Sequence, residues 1–553
     1  MPKRMKTGIP GLDRILDGGS LYHNCILLKG PPGSGKTTLG IQIIQSGITR
    51  FEENGIIVLF EQFPQQLFRD ISSYQWNLKE LEEERKLTIL FPRAEEITGR
   101  ELVCDSPLIS RIHEAAFETE AKRILIDSIS YFLNFFKTSM DSKELLLRFI
   151  NSLKSIGLTP ILTAEKNREG DIGFDEYLAD TVLLLSSEGG RDKTFPRRLI
   201  DIRKTRGHHH VRGRHPYRIG SRGIEVFPHV LAEPYEDKIE QLGPLEKETT
   251  GIGGLDEILG GGLARGTSTI LAGMPGTYKT TAGAQFLAAG MEKNQPGHLI
   301  TFYENPGFLA NVMRQKGIDL IPSIEAGSIS IRHFVPKNFY MDELLWELER
   351  EIREKGIKRL VIDGINELER AIEDPAMYKD FVVAFVSILG KSGVTSLFTQ
   401  KMDQFTANAP LTNVKYASLF DGIIYFGTIE IESAVHKVIT VLKMRGGDYA
   451  GDLRELRCGD RGLYICDKFV GLKGILAGNP QGQYKKTVEE IFQPLYFVEE
   501  FIDVLAKSEL KEEQRVQIVG NLHSEVSKLV DKLRDHFGVS NEEKNGENRP
   551  DRG

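Results

Sequence analysis

Lys36, Thr37 and Thr38 close the run Gly30-Pro31-Pro32-Gly33-Ser34-Gly35-Lys36-Thr37-Thr38, a pattern suited to holding phosphate. Its glycines keep Cβ atoms out of the loop, so backbone N–H groups can turn inward on a phosphate chain. The apolar stretch Cys25–Leu28 precedes it as a short buried strand, and the residues that follow open a helix whose N-terminus adds partial positive charge. In that setting Lys36 is expected to reach the β- and γ-phosphates and the Thr37 hydroxyl to bind Mg2+, so the expected ligands are ATP and Mg2+. Asp127 ends the apolar run RILID, where a carboxylate beside a phosphate loop completes the metal shell. Glu61 ends IIVLFE and is placed to orient or deprotonate an attacking water. Lys204 and Arg206 stand two apart on an expected strand and so project from one face. Arg191, Lys193, Arg197, Arg198, Arg203, Arg212, Arg214 and Arg218 surround them. That cluster suits a solvated hairpin, a charge finger acting on a neighbouring subunit's phosphates, or a nucleic-acid groove.

The elements that must position these residues occur twice. TGIPGLDRILDGG at Thr7–Gly19 returns as TGIGGLDEILGGG at Thr250–Gly262. At the same offset the loop returns as Gly273…Gly276-Thr277-Tyr278-Lys279-Thr280-Thr281, and Glu61 as Glu304. RILID ending at Asp127 matches RLVID ending at Asp363, and KTRG at Lys204 matches KMRG, which holds Lys443 and Arg445. Ordered landmarks with slowly drifting offsets mean two tandem copies of one domain of roughly 230 residues, each large enough for a core of its own. K-x-R-G recurs without the basic cluster in the second copy, which favours the finger over a nucleic-acid groove. Apolar runs alternate with amphipathic segments, which predicts an α/β fold with a parallel-rich sheet flanked by helices. In the first copy strands are expected at 25–29, 56–60, 123–126, 159–163 and 181–186, with a helix over KELLLRFINSLKSIG ending at Gly157.

The expected organisation is therefore a first domain over 1–232, a linker over 233–248, a second domain over 249–470, a helical tail over 471–537 and a disordered end over 538–553. In the tail Val519, Leu522, Val526, Leu529 and Leu533 follow 3-4 spacing for only about two heptads, short of a coiled coil. Net charge is −7 with 27% charged residues, which gives no global pull toward nucleic acid or anionic membrane. The four cysteines, Cys25, Cys104, Cys458 and Cys466, form no CxxC pair, so neither a zinc site nor a disulfide framework is expected. Adjacent histidines at His208–His210 do not converge on one ion. No apolar run approaches the roughly 18 residues of a membrane span, and a cytoplasmic, soluble protein is expected.

The order T-G-I-x-G-L-D, phosphate loop, strand-end glutamate, strand-end aspartate and K-x-R-G, given twice, resembles the KaiC family of double RecA-like ATPases. The resemblance covers about Met5 to Lys473. It implies two tandem RecA-like P-loop domains that bind ATP between neighbouring subunits of a homohexameric double ring, with a signalling or KaiB-like protein as partner. It implies slow hydrolysis in the first domain and serine/threonine autophosphorylation in the second. By carry-over Glu61 and Glu304 match the catalytic glutamates, and Lys204 and Arg206, with Lys443 and Arg445, the trans-acting finger. His210 matches the histidine that follows the finger and meets nucleotide. Four departures bear on activity. The paired glutamates of the family are Glu61-Gln62 and Glu304-Asn305, and Tyr449 replaces the second copy's histidine. The tandem phosphosite is Ala417-Ser418, which leaves Ser418 as one acceptor. Tyr278 occupies a glycine position of the second loop, where it either blocks the phosphate path or turns outward and leaves a weakened nucleotide site. The alternative classes are a non-catalytic assembly and signalling platform held together by ATP and, resting on the basic cluster over 191–222, a RecA-like nucleic-acid-dependent ATPase.

Overall fold

The computed structural model describes residues 3–92, 107–130, 139–165, 173–188, 197–229, 246–335, 340–372, 374–402, 416–431, 433–468 and short stretches between 472 and 528. The first sheet is built from β1 (Ile26–Gly30), β2 (Gly55–Leu59), β3 (Leu87–Leu90), β4 (Arg123–Asp127), β5 (Thr159–Glu165), β6 (Thr181–Glu188), β7 (Arg197–Thr205), β8 (Arg214–Gly220) and β9 (Gly223–Val226). Their order is β9-β8-β7-β6-β1-β5-β4-β2-β3. Strands β3, β2, β4, β5, β1 and β6 run parallel, and β7, β8 and β9 continue the sheet antiparallel. The second sheet repeats the plan with β10 (Ser268–Gly273), β11 (Gly297–Thr301), β12 (Ile329–His333), β13 (Arg359–Asp363), β14 (Thr395–Lys401), β15 (Gly422–Ile431), β16 (Ala434–Met444), β17 (Arg454–Gly459) and β18 (Gly462–Lys468). Its order is β12-β11-β13-β14-β10-β15-β16-β17-β18. The parallel-rich sheets flanked by helices match the two RecA-like domains expected from sequence.

Alternation along the buried strands sends side chains to two cores, one on each face. Ile26 and Leu28 of β1 join Leu39, Ile43 and Ile44 of helix α1 (Lys36–Phe51) on one face. Cys25 and Leu27 join Leu108 and Ile112 of α2 (Pro107–Thr119) and Leu146 and Phe149 of α3 (Ser139–Ser155) on the other. Helix α3 begins earlier than the amphipathic segment suggested, and Gly157 just past it is left-handed at φ 92°. Strand β3 was missing from the expected set. Lys247–Glu248, assigned to the linker by sequence, pairs with Leu263–Ala264 of the second domain. Leu472–Lys473 pairs with Gln481–Gly482 where the tail was expected to start as helix, while the described parts of 516–528 are helical. Leu522, Leu529 and Leu533 lie outside the described residues, as does Cys104.

One buried arginine per domain ties α1, or its counterpart α4 (Lys279–Met291), to the strand that ends in the aspartate. Arg123 is fully buried, donating to Glu53 Oε2 from Nε at 2.8 Å and Nη2 at 2.5 Å and to Ile43 O at 3.0 Å. Arg359 does the same with Gln295, Thr249 O, Phe286 O and Glu248. A Cβ at Gly47 or Gly290 would stand 2.7 Å from Arg123 Nε or 2.5 Å from Arg359 Cδ, so only glycine fits at these helix positions.

In the second domain α5 (Pro306–Gln315) is followed by α6 (Met341–Lys355), and α6 touches the first domain. Arg218 on β8 pairs with Glu343 at 2.8 Å, Arg14 with Glu349 at 2.6 Å, and His229 Nδ1 meets Asp342 at 3.0 Å. The hydrogen bond to Asp342 holds the His229 pKa above its ordinary value, and burial lifts Glu343 to about 7.

Candidate functional site

Strand β1 delivers the phosphate loop at its C-terminal end and α1 leaves it at Lys36, as the residue pattern requires. Gly33 and Gly35 adopt φ 75° and 88°, and a Cβ on Gly35 would meet Ile219 Cδ1 at 2.7 Å. Lys36 Nζ donates to Gly30 O at 2.9 Å and Pro31 O at 3.0 Å. Ser34 is buried and its Oγ has no hydrogen-bond partner among the described residues. Asp127 accepts hydrogen bonds from Thr163 and Thr37, while burial pushes its pKa up. Ser128 Oγ donates to Glu61 Oε1 at 2.5 Å, which fixes the exposed carboxylate at the edge of the loop.

The second site copies this frame. Lys279 Nζ donates to Gly273 O at 2.9 Å and Met274 O at 2.6 Å, and Thr277 Oγ1 to Met274 O at 2.7 Å. Thr280 Oγ1 donates to Asp363 Oδ2 at 2.8 Å, and Thr399 to Asp363 Oδ1. Burial and the neighbouring Asp363 raise the Glu304 pKa. Tyr278 takes the glycine's left-handed backbone at φ 74°, so the loop keeps its path. Its ring lies against Lys437, whose Nζ is 3.7 Å from the centroid, and Lys316 at 5.4 Å. Both contacts are attractive to a π face. In the facing hairpin Cys458, paired with Leu463 one step from the turn, takes the register position that Ile219, paired with Ile224, takes in the first domain.

Hard oxygen donors suit Mg2+, which keeps several waters and takes further ligands from substrate phosphates. Thr37 with Asp127 and Thr280 with Asp363 provide a hydroxyl–carboxylate pair in each domain, so the residues present fit that ion. Among the described residues no group of three or more His, Cys, Asp or Glu could hold a metal by itself.

The finger residues lie away from their own loops. Arg206 N donates to Asp180 O, and Asp180 is level with Cys25 at the start of β1. Lys204 Nζ donates to the carbonyls of Glu176, Tyr177 and Ala179 at 2.6–3.1 Å. Arg206 reaches Asp180 Oδ1 at 3.4 Å. Its level is five strand residues, or about 17 Å, from Gly30. The second copy repeats the arrangement. Arg445 N donates to Asp421 O, its side chain to Ser418 O at 3.1 Å, and Lys443 Nζ to Ala417 O and Phe420 O. Ser418 is exposed on a short 3-10 turn at this far end. His210 Nδ1 lies 2.9 Å from Thr205 Oγ1, and burial lowers its pKa. Tyr449, in the corresponding position, donates to Leu442 O at 3.3 Å. Arg203, Arg214 and Arg218 of the basic cluster are paired with Asp201, Glu188 and Glu343, whereas Arg191 and Lys193 fall outside the described residues.

Sequence reasoning missed Tyr217, whose buried hydroxyl donates to Ser34 O in the loop at 2.6 Å. It also missed Thr163 and Thr399, which hold the two aspartates. No helix among the described residues is long and apolar enough to cross a membrane.

A family profile described as "ATPase: KaiC" matches residues 5–230 and again 248–468. The chain is 30% identical over 487 residues to the circadian clock oscillator protein KaiC of Thermostichus vulcanus, covering 86% of this chain and 92% of that protein. It is similarly 30% identical to the KaiC of Synechococcus elongatus, with the same coverage. The KaiC of Prochlorococcus marinus is 28% identical, with 86% of this chain and 95% of that protein covered.

Proposed function

Since the chain belongs to the KaiC family and carries its ATPase domain twice, we propose that it is a homohexameric ATPase whose sites are completed by neighbouring subunits. Turnover belongs chiefly to the first domain. Lys36 and the loop N–H groups hold the β- and γ-phosphates; Thr37 and Asp127 would hold Mg2+, which would supply charge neutralisation to the phosphates. Glu61, anchored by Ser128, takes a proton from the attacking water as the water oxygen bonds to the γ-phosphorus. The bond to the β-phosphate oxygen then breaks and ADP leaves. Lys204 and Arg206 of the adjacent subunit stabilise the charge that develops on the transferring group, with His210 beside them. Distance is the observation that carries this reading: Arg206 is about 17 Å along the sheet from its own loop, beyond the reach of its side chain.

The second domain is a nucleotide site better suited to holding ATP than to hydrolysing it, with Glu304, Lys443 and Arg445 in the corresponding roles. Tyr278 favours this platform reading for the second domain, since its ring stiffens a loop that in the first domain ends in glycine. Ser418 is the one hydroxyl available for autophosphorylation, and it sits beside Lys443 and Arg445. A transfer to it would therefore come from a neighbour's ATP. Glu61→Gln separates the domains. It should lower phosphate release by roughly 10²–10³-fold while ATP still binds, because the phosphate cradle remains. Loss of turnover in Glu304→Gln with Glu61→Gln silent would reverse the assignment.

A further inference from the structure

The two phosphate loops sit in opposite electrostatic surroundings, and a single position accounts for much of the contrast. Gly30, the first loop residue, is register-paired with Glu165 at the end of β5, whereas Gly273 is paired with Lys401 at the end of β14. The same slot beside the loop thus carries a carboxylate in one copy and an ammonium in the other. Burial lowers the Lys36 pKa against the pull of three carboxylates, Glu165, Asp127 and Glu61. For Lys279 burial brings the pKa down to about 8, with Asp363 opposing the shift and Lys401 adding to it.

The backbone of Lys401 is held in place. Its N–H donates to Asn366 Oδ1 at 2.8 Å, and it lines the same cavity of about 770 Å³ as Lys279, Thr280, Glu304 and Asp363. Lys316 and Lys437 line that cavity as well. Around the first loop one lysine faces three carboxylates; around the second, Lys279 and Lys401 face Glu304 and Asp363. The first set is net negative, so a polyanion there gains strongly from a divalent cation. With Lys316 and Lys437 counted, the lining of the second cavity is net positive, so part of the needed positive charge is already covalently present.

We propose that Lys401 is a phosphate-binding residue of the second site, supplying to a nucleoside triphosphate there part of the positive charge that the first site obtains only from a divalent cation. The second site therefore holds nucleotide with much less dependence on metal. This rests on the reading that the second loop binds nucleotide.

The test uses the full chain and ATP bearing a fluorescent group on its ribose, titrated in Mg2+ and in excess EDTA. Lys36→Ala leaves only the second site and Lys279→Ala only the first. Chelation should weaken binding by at least about tenfold more in Lys279→Ala than in Lys36→Ala, the effect expected for reversing one nearby charge in a partly exposed cleft. Adding Lys401→Glu to Lys36→Ala should raise the chelation penalty toward that of the first site, and Lys401→Arg should leave it unchanged. Adding Glu165→Lys to Lys279→Ala should relax the first site in turn, with circular dichroism confirming that each variant folds. Equal chelation penalties at the two sites, or a penalty indifferent to Lys401→Glu, would overturn the proposal alone. Absence of binding in Lys36→Ala, in Mg2+ as well as EDTA, would overturn the underlying reading of the second site and the proposal with it.

Discussion

Mixing two inactive variants offers the sharpest check on where the finger acts. Lys36→Ala removes the ammonium from the first loop, and Arg206→Ala removes the finger charge. Arg206 lies level with Cys25, five residues before Gly30 and two strands away from it, which is about 17 Å along the sheet. An extended arginine side chain covers less than half of that. In a ring each subunit would then give its loop to one neighbour and its finger to the other, as a head-to-tail interface requires. Each variant alone should release phosphate at near-background rates. In a one-to-one mixture, half the loops and half the fingers are intact, so about a quarter of interfaces combine both and about a quarter of wild-type turnover returns. A chain carrying both substitutions, mixed equally with wild type, should likewise leave about a quarter of sites active, whereas a finger acting on its own loop would leave about half. Steady-state phosphate release measures turnover, and co-purification of differently tagged subunits establishes exchange. Background activity in a demonstrably exchanged mixture of the two single variants would refute the trans geometry.

Three further outcomes follow from the same framework. Nucleotide affinity of the second site, measured in Lys36→Ala, should begin to fall as pH rises past about 8, because the free Lys279 then loses the proton that a phosphate needs; affinity flat to higher pH would contradict the depressed pKa. The contact between domains should loosen as pH rises. His229 has a folded pKa raised by Asp342, so its contribution is complete below its unfolded value and lost above the folded one. Glu343 is lifted from 4.5 to about 7 by burial against the pull of Arg218, so its contribution too is complete below its unfolded value and declines as pH rises toward about 7. Hydrogen exchange along α6 should therefore quicken beyond its intrinsic pH dependence as pH rises through about 7, most strongly at 341–345. Finally, Arg123→Leu leaves Glu53 without its buried counter-charge and should cost about 3–5 kcal/mol in a denaturant melt.

The chemistry-bearing ends of the strands were legible because each is written in consecutive residues. The phosphate loop, Glu61 and Asp127 follow apolar runs whose direction fixes where the side chains emerge, and the second copy confirmed the spacing. What escaped was assembled across distance. Tyr217 reaches Ser34 from β8, 183 residues later, and nothing local marks that hydroxyl as a loop support. Thr163 meets Asp127, and Lys401 comes to stand beside Gly273, only through strand register. The strand Leu87–Leu90 was hidden by its charged approach, KELEEERKL, which shows no alternation. Tyr278 had two outcomes open in the sequence; its backbone keeps the glycine's left-handed conformation at φ 74°, and its ring lies against Lys437, a residue far along the chain that nothing local marks.

The hairpin of β8 and β9 also makes the protein its own optical instrument. The chain has two tryptophans, and both stand beside this hairpin or its contacts. Trp76 stacks on Tyr74 with centroids 4.5 Å apart and packs against the turn so closely that a Cβ at Gly223 would sit 2.4 Å from its ring. Trp346, on α6, lies under Arg14 with the guanidinium carbon 5.6 Å from the ring centre. Light emitted from Trp76 therefore senses the strand that braces the first phosphate loop, and light from Trp346 senses the seam between the domains. Replacing one tryptophan with phenylalanine isolates the other. Loop and seam can then be followed separately, in real time, without attaching a dye.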